Sequence, residues 1–234
     1  MASIIAAGNR PRLPVTMKKL LQISTATLAF AALFGLSASV QAQDVAAGQK
    51  KIAMCIGCHG IEGYQASFPQ IHKVPMIAGQ SAGYIVAALT AYAKGERKHP
   101  TMRGIAGSLS EKDMADIAAY YEQLAHAPVV PEAATAPTAQ VADLLTRGAC
   151  SSCHGANFSK PIAPVYPKLA GQHGDYLYVA LKSYQTQGNP GVGRGNAIMM
   201  GQVKQFSPSE LKAMADYLAS QPSELRTVAQ SRFR

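Results

Sequence analysis

The sequence predicts an all-α fold in two similar halves, and three observations carry that prediction. A stretch of 18 residues recurs: PMIAGQSAGYIVAALTAY from Pro75 and PKLAGQHGDYLYVALKSY from Pro167, at an offset of 92. Such internal self-similarity decides architecture before any local reading does. Both copies place apolar residues at helical spacing. No run of residues alternates in the manner of a half-buried strand.

The chain opens on a leader. Met17-Lys18-Lys19 precedes the apolar run LLQISTATLAFAALFGLSASV, which ends on Gln41-Ala42. A positive start, an apolar centre and a small-residue end read as a secretory signal peptide over 1–42. Translation is expected to start at Met17, because the residues before it add nothing to such a signal, and cleavage to follow Ala42. The alternative is an uncleaved anchor, for which the apolar run is short. Arg10, Arg12, Lys18 and Lys19 lie in this leader, so the net charge of +9 falls to +5 over residues 43–234. With no Lys/Arg run and no basic stripe interleaved with aromatics, nucleic acid is not an expected partner. No second apolar segment approaches spanning length, so the remaining chain is expected to be soluble outside the cytoplasm.

The helices follow in order. The stretches before the two cysteine clusters, 46–54 and 141–149, read as short helices. After each Ala-Gly-Gln comes a longer one: Tyr84, Ala88 and Tyr92 recur at i, i+4 and i+8 with Ile85 and Leu89 beside them, and Tyr176, Ala180, Leu181 and Tyr184 repeat the pattern. A last pair, LSEKDMADIAAYY from Leu109 and FSPSELKAMADYL from Phe206, repeats at an offset of 97. Ser110 with Asp113, and Ser207-Pro208 with Glu210, are helix-start signals. Met114, Ile117, Ala118 and Tyr121 then share a face, as do Leu211, Met214, Ala215 and Leu218. Between the copies, APVVPEAATAPTAQ is rich in Pro and Ala and reads as an extended linker. The predicted organisation is a first domain 43–126, a linker 127–140, a second domain 141–220 and a polar, basic, mobile tail 221–234.

The chemistry lies in CIGCHG at Cys55 and CSSCHG at Cys150. All four cysteines fall in these two motifs, at an offset of 95. Two disulfides would suit an exported chain. A redox CxxC normally belongs to a βαβ setting, and zinc needs a fourth ligand that CxxCH lacks. CxxCH reads instead as covalent attachment of a c-type haem. One helical turn brings both thiols to one porphyrin edge, and the next residue places an imidazole under the ring. A domain of about 80 residues buries only a modest core, and this chain has no tryptophan, so a large apolar macrocycle would supplement each core.

His59 and His154 are the candidate axial ligands on one side of each iron. For the other side the first half offers Met76, His72, His99, Met102 and Met114. Met102 has a partner at an offset of 97, Met199, and both follow the long helix and precede the last one. Met200 stands one residue away as a register alternative. His99 has no histidine counterpart, since position 196 is Asn, and Met114 and Met214 lie in helical stripes that read as core. The ring N–H of an axial histidine normally donates to a carbonyl or carboxylate. The carbonyls of Pro75 and Pro167 are candidates for that acceptor, or the two prolines merely set turns. GNPGVGRGN, 188–196, reads as a flexible approach to Met199.

Two tandem copies of CxxCHG, then P-x-x-A-G-Q, then a Met loop ending in L/F-S-x-x-[DE], resemble the dihaem cytochrome c4 family, built from tandem class I cytochrome c domains. The resemblance covers about 44–220 and implies two covalently attached haem c groups. It carries Cys55, Cys58, His59 and Met102 into one site, and Cys150, Cys153, His154 and Met199 into the other. It implies a periplasmic carrier of single electrons, soluble or loosely attached to the membrane, serving redox protein partners and feeding terminal oxidases. His/Met ligation raises the iron potential and leaves no open coordination position, which favours electron transfer over catalysis. Rival readings are the haem subunit of a dehydrogenase complex, such as the partner of a sulfide-oxidising flavoprotein, or a dihaem peroxidase or thiosulfate-oxidising enzyme. The chain departs from the repeat in IEGYQASFPQIHKV, 61–74, which is longer than its counterpart, and in Lys98-His99-Pro100-Thr101 before Met102.

Overall fold

Capping side chains set where most helices start. In the computed structural model, which describes residues 43–125 and 134–229, the Asp44 carboxylate accepts the Ala47 N–H and opens α1 (Val45–Lys51). The expected leader, with its start and cleavage points, lies outside the described residues. Ile52 separates α1 from α2 (Ala53–His59), so the helix expected over 46–54 is two shorter ones, the second running through the cysteine motif. A two-residue hairpin follows, β1 (Gln65–Ala66) against β2 (His72–Lys73), in the stretch that is longer in the first half. Then come α3 (Ala82–Ala93), β3 (Arg97–Lys98), α4 (Pro100–Gly107) and α5 (Glu111–Gln123). In the second half stand α6 (Ala139–Arg147), α7 (Ser151–His154), α8 (Gly174–Gln185), β4 (Gly193–Arg194), α9 (Ala197–Val203) and α10 (Pro208–Ala219). Both last helices start with reciprocal capping boxes, Ser110 with Asp113 and Ser207 with Glu210.

Two apolar cores result. The first joins Ile52 and Ile56 to Ile85, Leu89 and Ile117; the second joins Leu144 and Leu145 to Leu177, Leu211 and Met214. In α3, Ile85 and Leu89 are buried against the first core, while the Tyr84 hydroxyl and the Tyr84 and Tyr92 rings meet Arg97. The stripe expected along Tyr84, Ala88 and Tyr92 is therefore a second, polar-contacting face of the same helix.

Two expectations about the chain's connections are corrected. The Thr138 hydroxyl accepts the Val141 N–H at 3.3 Å and α6 begins at Ala139, so the last two residues of the expected linker are helical. The tail is docked as far as it is described. Leu225 is buried, the Arg226 N–H donates to Ala78 O at 3.1 Å, its guanidinium donates to Leu124 O, and Val228 packs on the first core. The tail leaves α10 of the second half and ends against the first.

The halves meet through a near two-fold arrangement. Arg97 of β3 pairs with Arg194 of β4 in an antiparallel ladder that spans them. Arg97 donates to the Tyr84 hydroxyl at 3.0 Å and lies over the rings of Tyr84 and Tyr92. Arg194 does the same to Tyr176, at 3.1 Å, and to the rings of Tyr176 and Tyr184. The hairpin of the first half adds an asymmetric clasp: the Lys73 N–H donates to Asp175 at 2.9 Å, and His72 stacks on Tyr176 at 6.2 Å.

Candidate haem sites

Each site is built where a short helix, a proline turn and a methionine helix meet one core. Cys55 and Cys58 lie on α2; Cys150 and Cys153 flank and occupy α7. All four are free thiols, so neither CxxC closes a disulfide. Burial pushes the Cys55 thiol up to about 11, with the Tyr121 hydroxyl opposing and Cys58 adding to the rise; burial also raises Cys150. Burial thus keeps the Cys55 and Cys150 thiols neutral, the reverse of the low-pKa thiolate of a redox sensor.

The histidines have a fixed tautomer. His59 Nδ1 lies 2.8 Å from Pro75 O, and His154 Nδ1 lies 3.0 Å from Pro167 O. A carbonyl can only accept, so Nδ1 carries the proton and Nε2 keeps a lone pair, the form a metal requires. Burial lowers the pKa of both rings against the raising effect of those carbonyl bonds, which further favours the neutral form. Proline suits the acceptor position because it fixes the turn and has no competing N–H.

Met102 lies in the first turn of α4 and packs on the first core along with Cys55; Met199 lies in the first turn of α9 and packs on the second along with Cys150. Both helices are capped at the methionine's own N–H, by His99 Nδ1 at 3.4 Å in the first half and by Asn196 Oδ1 at 3.0 Å in the second. This gives His99 an occupation other than iron. His72 donates from Nδ1 to Gln70 O and stacks on the other half. Met114 is in the core, taking a hydrogen bond from Thr90, and Met76 has both main-chain groups held by Gln172. Met200 faces a shallow cleft lined by Tyr184, Gln185, Gln187, Lys204 and Phe206 instead of the core.

Sequence reasoning passed over Arg97 and Arg194. Their signal was available: they recur at an offset of 97 and each has a pair of repeated tyrosines. Arg97 is only 7 % exposed, its Nε has no partner, and among the described residues no carboxylate pairs with either arginine. Burying a guanidinium without an anion is costly. A haem brings two carboxylates, so a pair of orphaned cations between the halves fits that group, as do the free thiols and the neutral histidines.

The profile of the family described as cytochrome c matches residues 45–125 and 139–222, one match in each half. The chain belongs to the cytochrome c family, in its tandem cytochrome c4 branch. It is 31 % identical to the cytochrome c4 of Thiocapsa roseopersicina, over 78 % of this chain and 95 % of that one. It is 30 % identical to the thiosulfate dehydrogenase electron acceptor of Stutzerimonas stutzeri, over 82 % of this chain and 93 % of that one. Among solved structures, reduced recombinant cytochrome c4 from Pseudomonas stutzeri matches with a TM-score of 0.57 at 28 % identity, covering 77 % of this chain and all 100 % of that one. Cytochromes c4 are electron carriers. Two such domains with two CxxCH motifs take two covalently bound haems.

Proposed function

We propose that this cytochrome works in the periplasm as a two-site relay of single electrons between respiratory proteins. Cys55 and Cys58 anchor one haem and Cys150 and Cys153 the other; His59 with Met102, and His154 with Met199, close the two irons. The observation that carries the reading is the doubled site. In each half a neutral histidine held by a proline carbonyl stands on a cysteine helix, and a methionine packs from a separately capped helix on the same core. Bound haem supplies a one-electron iron couple. The chain's own residues bring apolar cores to each site and hold the histidine proton at Nδ1. That is the equipment of a carrier with closed coordination.

A place outside the cytoplasm, where covalent haem attachment occurs, fits the leader expected over 1–42. Among the described residues no helix is long and apolar enough to cross a membrane, which suits a soluble or loosely attached carrier. Transfer toward a terminal oxidase is the acceptor side that the resemblance to cytochromes c4 supports. A second reading for the donor side has its own support: the relative from Stutzerimonas stutzeri is named as the electron acceptor of a thiosulfate dehydrogenase. In that reading the chain takes electrons from a dehydrogenase before passing them on. Stopped-flow mixing of the reduced holoprotein with oxidase-containing membranes tests the first. Oxidation on the millisecond scale supports it, and oxidation no faster than with free haem peptide rejects it.

A further inference from the structure

The Ala-Gly-Gln repeated in both halves is explained only in part by packing. Ala78 and Ala170 are buried, and the N–H of Gly79 and of Gly171 donates to the last helix of its own half, to Tyr121 O and Leu218 O, both at 2.8 Å. The glutamines do something else. Gln80 and Gln172 are 3 % and 4 % exposed, and each turns its amide to the opposite half. Gln172 Oε1 accepts the Met76 N–H at 3.0 Å, and its Nε2 donates to Met76 O at 2.8 Å. Gln80 Oε1 accepts the Lys168 N–H at 2.9 Å, and its Nε2 donates to Lys168 O at 3.0 Å. The exchange is reciprocal.

Met76 and Lys168 are the residues directly after Pro75 and Pro167. A peptide group is planar, so the Met76 N–H and the Pro75 carbonyl belong to one rigid unit. The oxygen end of that unit takes the His59 Nδ1 proton at 2.8 Å; the nitrogen end is held by Gln172. In the second half the Pro167–Lys168 peptide takes the His154 proton at 3.0 Å and is held by Gln80. A hydrogen bond given from the N–H polarises the peptide and makes its carbonyl a better acceptor.

We propose that Gln172 is a positioning residue for His59, and Gln80 for His154, so that each half tunes the axial histidine of the other. The proposal rests on the assignment of those histidines as iron ligands. Loss of the glutamine amide lets the proline peptide turn and weakens the acceptor. The ring N–H is then less tightly held and the histidine becomes a weaker electron donor to the iron. The change appears in the half that does not carry the mutation. A glutamine that served only to glue the halves together would disturb both sites alike.

The test uses the full holoprotein and two variants, Gln172→Ala and Gln80→Ala. In each, the exchange rate of both hyperfine-shifted axial histidine N–H signals is measured by proton NMR, with signals assigned to their half by Overhauser contacts, alongside a redox titration resolved by haem. The expected pattern is crossed. Gln172→Ala speeds exchange of the His59 N–H on the order of tenfold and raises the potential of the first site, leaving His154 unchanged. Gln80→Ala does the reverse. Should an alanine variant not fold, Gln172→Met and Gln80→Met replace it: a side chain of similar length fills the space but offers only a thioether, a weak acceptor and no donor, and a shift of the same crossed sign is expected. A change in the mutated half, an equal change in both or no change in either overturns the proposal alone. Absence of either shifted ring signal in the unsubstituted protein overturns the ligand assignment itself, and the proposal with it.

Discussion

Replacing Gly48 by alanine sets helix propensity against packing. Gly48 lies within α1, where alanine is favoured over glycine by about 1 kcal/mol. Propensity by itself therefore predicts a gain. At this residue, however, α1 crosses α5 with almost nothing between the backbones. A Cβ there would stand 2.1 Å from Asp116 O, 2.6 Å from its carbonyl carbon and 3.0 Å from Tyr120 Cβ. Carbon and carbonyl oxygen rarely approach closer than about 3.3 Å, so the helices must separate by about 1 Å. Asp116 cannot yield, because its carboxylate is tied to Lys51, Lys112 and the Asp44 N–H. Overpacking of this kind costs about 1–3 kcal/mol, more where backbone is met. Net of propensity, Gly48→Ala is expected to destabilise the holoprotein by about 2 kcal/mol, a fall in Tm of about 4–8 °C. Gly104, in α4 with nothing within 4 Å of its notional Cβ, is the control: Gly104→Ala should gain up to about 1 kcal/mol. Thermal unfolding followed by far-ultraviolet circular dichroism reads both. A Tm for Gly48→Ala equal to or above that of the parent would refute the close crossing of α1 and α5.

Further outcomes follow from the same structure. Hydrogen bonds from Lys51 and Ser110 hold the Asp113 carboxyl down at about 2, and Lys51, the Asp44 N–H and Lys112 hold Asp116 lower still. Carboxylates held below their unfolded value of about 4 stabilise the fold above that pH, and the contribution is lost as pH falls through the folded values. Acid titration should thus undock α1 from α5 between pH about 4 and about 2, and Asp116→Asn should flatten that dependence; an unchanged acid limb would contradict it. Deleting residues 223–234 removes the burial of Leu225 and the Arg226 bonds to Ala78 and Leu124. This should cost about 2–4 kcal/mol and speed hydrogen exchange at Gly79, although the cut lies in the other half's tail. Met200→Ala should leave the oxidised spectrum intact, whereas Met199→Ala should remove the methionine–iron charge-transfer band of one haem.

What the sequence disclosed was local or repeated. The capping boxes at Ser110 and Ser207 involve residues three apart, and the cysteine motifs carry their spacing within five residues, so neither needs a fold to be recognised. Met102 and Met199 emerged from the offset of the repeat. Elements closed by distant contacts were missed. Arg226 reads as a basic tail residue until Leu124, 102 positions away, is beside it. Thr138 reads as linker because its helix has Val141 at the third position in place of an acid. Tyr84 and Tyr92 look like core on helical spacing, yet their partner is a buried arginine that no carboxylate among the described residues accompanies. Periodicity tells which residues leave water; it does not tell what meets them.

The central claim is two equivalent, closed His/Met sites in one chain. The oxidised absorption spectrum of the purified holoprotein, recorded through a redox titration, addresses it most directly. The account predicts two one-electron steps and a methionine–iron charge-transfer band whose intensity corresponds to both haems. A band of half that intensity, with one haem taking up an external ligand such as imidazole or cyanide at once, would contradict it.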